Sequence, residues 1–304
     1  MPTYQISTAD RAPLPASYRA ESRHLGYDHT EQQRPFAKYF RAPEGPQEQA
    51  REALAAGMAS PEHGYEITDA ARRLSAPGYE HLETGWTRTE HGTLAVHCLT
   101  SMPGVTAAMW DWWFGWHSRD SARYKLWHPE AHQYCGLGED RAADRTLTDR
   151  QRYRNNVSYV DEYVGPTRTR LAIRFVDPQT WGFDDRPGHT TICAHVGPSD
   201  IPVAAGWLVH QIRPTDEGCE MRSRFFLGGG YVLALPPPST SRPAVASLMV
   251  NPVSRRLLAP AVHAGSRLVA SNRFGRHLLE HCAVEMHHLA GILPDLHAEF
   301  HDVP

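Results

Sequence analysis

Residues 263–293 read HAGSRLVASNRFGRHLLEHCAVEMHHLAGIL, a run with little Gly or Pro inside it that predicts one long helix near the end of the chain. Upstream, residues 157–164, 169–176, 190–196, 202–212 and 219–227 are rich in β-branched and aromatic residues and are separated by Gly, Pro and Asp. That is the pattern of an antiparallel sheet. Strands followed by a single closing helix make an α+β domain, in which a curved sheet grips the helix around an internal cavity.

Working outward, residues 105–116 (VTAAMWDWWFGW) are aromatic nearly all round. A helix with that surface is a core helix or one wall of a cavity. Residues 85–102 alternate loosely and predict a strand or hairpin where the main domain begins. The Pro77-Gly78 break marks a boundary, so residues 1–78 are read as a small, mostly helical unit or wrapping arm and 79–304 as the main domain. Within the arm, 48–58 (EQAREALAAGM) is helix-forming, and 68–74 (TDAARRL) opens on Thr68 as N-cap. After the run Pro236 to Pro238 the character changes, and 242–260 is mixed.

A chain of 304 residues with 41% hydrophobic residues buries a substantial core. The formal charge of -3 supplies no field that would draw it to nucleic acid or an anionic membrane, so small organic molecules are the expected partners. No apolar stretch approaches membrane length, and residues 1–20 are too polar for a signal peptide, which predicts a cytoplasmic protein. Cys98, Cys135, Cys193, Cys219 and Cys282 lack CxxC spacing and are read as reduced thiols. The 19 histidines and 8 tryptophans suggest metal ligands and an apolar pocket, although a bias toward His, Arg and Pro would raise the histidine count without any metal.

Three regions carry candidate chemistry. In His281-Cys-Ala-Val-Glu285 an imidazole and a carboxylate four apart share one helix face and could share one cation. The pair is a cheap motif in so histidine-rich a chain, and His277, His287 and His288 compete on spacing alone. In Arg123-Tyr-Lys-Leu-Trp-His128-Pro-Glu-Ala-His132 two histidines are again four apart, and Pro129 suggests a turn or a new helix with His132 one turn into it. In Tyr159-Val-Asp161-Glu162-Tyr163 two acids interrupt an apolar strand. Alternation sends them to opposite faces, one toward solvent and one toward a cation or cavity, without saying which.

Met109-Trp-Asp-Trp-Trp-Phe-Gly-Trp116, Arg123-Tyr-Lys-Leu-Trp-His-Pro129, Val160-Asp-Glu-Tyr-Val164, Met221-Arg-Ser-Arg-Phe225 and His281-Cys-Ala-Val-Glu-Met286 appear in the order of one family. From about residue 85 onward the chain resembles the 2,4-diacetylphloroglucinol hydrolases, with their phloretin hydrolase-like relatives. The resemblance implies a helix-grip domain of the START-like type, a homodimer, and a zinc ion held in the cavity by His132, Glu162, His281 and Glu285. His132 is preferred over His128 because the family's metal histidine stands eight residues after a substrate-contacting tyrosine, here Tyr124. The resemblance also implies that His210 relays a proton. Cys135 stands where an asparagine is expected and Phe225 where a second tyrosine is expected, so both substrate-binding positions point to a less hydroxylated substrate.

The implied reaction is a hydrolytic retro-Claisen cleavage of an acylated phenol or 1,3-diketone, in which zinc polarises the ketone and activates water. Glu162 or Glu285 could then serve as base, and His210 or Tyr124 could deliver the proton to carbon. Two other readings suit the same fold: a metal-free ligand carrier, and a polyketide cyclase or aromatase. Neither needs two carboxylates beside two imidazoles.

Overall fold

The computed structural model describes residues 7–142, 144–200, 203–228, 233–234, 253–254, 257, 260–261, 264–265 and 270–303. Its strands are β1 (Gly85–Arg88), β2 (Leu94–Pro103), β3 (His132–Leu137), β4 (Val157–Val164), β5 (Thr167–Val176), β6 (Thr190–Pro198), β7 (Val203–Ala204), β8 (Gly206–Thr215), β9 (Gly218–Leu227) and β10 (Leu233–Ala234). Helices are α1 (Ser17–Ala20), α2 (Glu48–Ala56), α3 (Ile67–Ser75), α4 (Ala107–His117), α5 (Ser121–Lys125), α6 (Asp149–Tyr153), α7 (Asn272–Ala290) and α8 (Leu293–Phe300). Eight strands form one antiparallel sheet in the order β1-β2-β9-β8-β6-β5-β4-β3, and β7 pairs with β10 in a short ribbon.

Period-two alternation sorts each strand into two faces. Val96 and Cys98 of β2 and Met221 of β9 join the main core with Trp110, Trp113, Leu279 and Met286. Ala95, Val209 and Phe226 point the other way and pack with Ile67, Ala70 and Leu74 of α3. Helix α7 touches β1 and β2 near one end of the strand order and β4 near the other. A helix can reach both only if the sheet curves around it, which is the helix-grip arrangement. Helix α4 fills the concave face beside β6 and β8. The buried Asp111 anchors it by accepting from Arg150 Nε at 2.7 Å, Thr190 Oγ1 at 2.8 Å and the Tyr153 hydroxyl at 2.9 Å.

The first residues serve both faces. Phe36 and Ala50 enter the main core, while α3 covers the convex side.

Several expectations shift. Helix α7 begins at Asn272, where the Ser271 hydroxyl accepts the Phe274 N–H at 3.1 Å, rather than at residue 263. His263 itself, the Pro236 to Pro238 run and most of 242–260 lie outside the described residues. Thr68 sits inside α3 and caps nothing; Glu66 precedes the helix and binds Thr89 and Thr93. The strand expected over 202–212 is β7 and β8, and residues 85–102 form the β1-β2 hairpin. No helix among the described residues is long and apolar enough to cross a membrane.

Candidate metal centre

Pro129 does not open a helix. A turn closes there, with the Ala131 and His132 N–H groups bonded to the His128 carbonyl, and His132 becomes the first residue of β3. β3 pairs His132 with Glu162 of β4, and a bulge at Gln133 then lets His132 and Cys135 share the concave face. On β4, Glu162 faces the same side, across from His281 and Glu285 on consecutive turns of α7. Asp161 faces the convex side but not solvent: it is 1% exposed, and its carboxylate meets Arg23 and Arg168 at 3.3 Å and Arg170 at 3.5 Å.

Ligand-type atoms of His132, Glu162 and His281 lie within 4.8 Å of one another, and Glu285 stands beside both histidines. His132 Nε2 is 3.7 Å from Glu162 Oε2 and 3.5 Å from Glu285 Oε2, while His281 Nε2 is 3.6 Å from Glu285 Oε2. These gaps exceed a good hydrogen bond. They are close to the edge of a tetrahedron with metal–ligand bonds of about 2.1 Å, roughly 3.4 Å.

The His132 ring has a defined tautomer. Its Nδ1 is 3.0 Å from the Tyr124 carbonyl, which can only accept, so Nδ1 carries the hydrogen. Burial, followed by the nearby His281, pushes this imidazole well below its ordinary pKa and keeps it neutral. Nε2 then turns a lone pair toward two carboxylate oxygens and has no hydrogen-bond partner among the described residues. Lone pair against carboxylate is repulsive, and a cation between them removes the conflict. Tyr124 tightens the arrangement: its ring stacks on His132 at 3.8 Å and 6°, and its hydroxyl donates to Glu162 Oε2. Burial and the Glu162 charge raise the phenol well above its usual pKa, so it stays a proton donor.

His281 behaves differently. Burial pulls its pKa down, but Glu285, then Glu162 and the Tyr163 carbonyl, outweigh it and push it up to about 9. Glu285 is raised by burial and partly drawn back by His281. His128 stays close, its ring 4.8 Å from that of His281, but it is not part of the converging set. Burial, then His281 and His288, lower it to about 2.

The other expected residues are spread over the concave face. His210 on β8 places Nδ1 2.8 Å from Ser223 Oγ, and burial lowers its pKa to about 3. Phe225 meets the His210 ring edge-on at 5.8 Å. Cys135 is 1% exposed; its thiol donates to the Ser118 carbonyl at 3.0 Å and lies 3.3 Å from Ser158 Oγ. Burial pushes that thiol up to about 12. Ser223 was not singled out by the sequence, although alternation within Met221-Arg-Ser-Arg-Phe225 puts it on the same face as Met221 and Phe225.

Residues 65–298 match the family described as the DAPG hydrolase PhiG domain. The chain is 28% identical over 284 residues to a 2,4-diacetylphloroglucinol hydrolase of Pseudomonas protegens, covering 88% of this chain and 85% of that one. It is 31% identical over 196 residues to the phloretin hydrolase of Eubacterium ramulus, covering 60% and 70% respectively. A norcoclaurine synthase structure from Thalictrum flavum matches 67% of this chain and 94% of that chain at 13% identity and a TM-score of 0.28.

Proposed function

Because the chain belongs to the DAPG hydrolase PhiG domain family, we propose that it is a zinc-dependent hydrolase that cleaves the carbon-carbon bond beside a ketone. The observation that carries the reading is the His132 Nε2 lone pair held against the carboxyl groups of Glu162 and Glu285, an arrangement that a cation between them would relieve. Two nitrogen and two carboxylate donors suit zinc, so His132, Glu162, His281 and Glu285 would hold it. A bound zinc ion supplies Lewis acidity to a carbonyl group and to water.

The chain's own residues supply the rest. The Tyr124 carbonyl fixes the His132 tautomer, and the Tyr124 hydroxyl remains protonated and able to donate. His210, neutral and oriented through Nδ1 by Ser223, keeps Nε2 as the ring nitrogen for proton transfer. The net change adds hydroxyl from water to the acyl carbon and a proton to the departing carbon, giving a carboxylic acid and a deacylated ketone or phenol. That departure requires a delocalised carbanion, so acylated phenols and 1,3-diketones are the proposed substrates. Cys135 has its thiol committed to Ser118, and Phe225 offers no polar group. Both favour a substrate with fewer ring hydroxyls than an acylphloroglucinol.

The test is elemental analysis of the purified protein, followed by acid release from a panel of acylated phenols and 1,3-diketones. About one zinc per chain with acid release supports the reading; full turnover by metal-free protein rejects it, and metal-free protein that binds substrate unchanged identifies a carrier. A homodimer and a cytoplasmic location remain expectations, checked by light scattering and cell fractionation.

A further inference from the structure

Helix α5 is held from behind by residues 24–34. Its last residue, Lys125, is fully buried, and an ammonium group in that setting needs partners. Nζ donates to Glu31 Oε1 at 2.7 Å and to the Gly26 carbonyl at 3.0 Å, and it lies 3.0 Å from both Glu31 Oε2 and His24 Nε2. His24, Asp28 and Glu31 stand close enough together for a cation site of their own, but Lys125 already brings the positive charge into that group. Two further contacts grip the start of α5. The Tyr27 hydroxyl donates to the Ala122 carbonyl, and Arg34 pairs with Asp120, which caps the helix by accepting from the Ala122 N–H at 2.9 Å.

What α5 carries is Tyr124. Its carbonyl holds His132 Nδ1, its ring stacks on the His132 imidazole, and its hydroxyl binds Glu162. Two of the four converging side chains are thus oriented through one residue, and that residue's helix is pinned at both ends by the same short segment. We propose that residues 24–34 form a latch that preorganises the metal centre, with Lys125 and Glu31 as its positioning residues. The inference rests on the metal reading above, and it assigns a task to a segment that precedes the region matched by the family. Releasing the latch lets Tyr124 drift, and His132 and Glu162 lose their outer partners. Loss of such outer hydrogen bonds typically weakens a metal site about 10- to 100-fold.

The test compares full-length wild type, Lys125→Met and Glu31→Gln, the last keeping an amide acceptor should the first fail to fold. Zinc Kd is measured by competition with a chromophoric chelator, and hydrogen exchange of residues 118–132 is followed in metal-free protein. The latch predicts at least a tenfold weaker zinc Kd and at least tenfold faster exchange in that segment for both variants. Gln49→Ala, which removes a bond from α2 to the Leu99 carbonyl, serves as control and should lower Tm without moving either readout. Wild-type zinc affinity and exchange in both variants overturn the proposal. So does an equal loss of zinc affinity in Gln49→Ala, which would reduce the contact to general stability. If wild type itself takes up no zinc, the metal reading falls, and the exchange data alone decide whether the segment holds α5.

Discussion

Replacing His281 with alanine tests the metal centre most directly. If four ligands share roughly 10 kcal/mol of zinc binding energy, each contributes about 2.5 kcal/mol, or roughly 60-fold in affinity. A second effect adds to this. Glu285 is already raised by burial, and the imidazole that draws it back is His281. Without that partner the carboxyl is protonated more of the time, and a proton competes for the site. The combined loss is therefore about 100-fold or more. Elemental analysis after dialysis should show His281→Ala depleted of zinc, chelator competition should give the shifted Kd, and acid release should fall with occupancy. Circular dichroism and the urea midpoint of the metal-free proteins show whether the fold is kept. A folded His281→Ala protein that retains wild-type zinc affinity, or that releases acid at the wild-type rate without metal, refutes the reasoning.

Ser223→Ala should leave zinc content and KM unchanged while lowering kcat about tenfold, because His210 loses the partner on Nδ1 that aims Nε2; an unchanged kcat removes His210 from the proton path. Glu83 governs acid stability. Burial works against its carboxylate, yet Arg224 and Arg222 outweigh burial and hold it at about 2. A depressed folded pKa gives stability that is complete above the unfolded value near 4.5 and is lost as pH falls from there toward 2. Glu83→Gln leaves two arginines, each no more than 1% exposed, without their shared carboxylate, a loss of about 3 kcal/mol at pH 7. Urea midpoints should show the gap between variant and wild type closing below pH 4.5; a gap constant from pH 7 to pH 3 counts against the assignment.

Residues 157–164 show how far periodicity reaches. Their alternation predicted β4 with both ends in place, and it required Asp161 and Glu162 to face opposite ways. It could not choose the inner one, because a period of two has no phase until a neighbouring layer supplies one. Asp161 also departs from the expectation of a solvent-facing acid, since Arg23 reaches it from the N-terminal segment, 138 residues away in sequence. For residues 128–132 Pro129 allowed a turn or a new helix; the turn forms, but pairing with β4 makes His132 the first residue of a strand rather than part of a helix.

The amino-acid sequence by itself determined which side chains could share a face: His281 with Glu285 through the helical repeat, and Met221, Ser223 and Phe225 through the strand repeat. Both follow from backbone geometry, which is local. Tertiary structure decided which faces meet. The bulge at Gln133, the curvature of the sheet around α7 and the hold of residues 24–34 on α5 bring His132, Glu162, His281 and Glu285 together, and each depends on contacts between segments far apart in the chain.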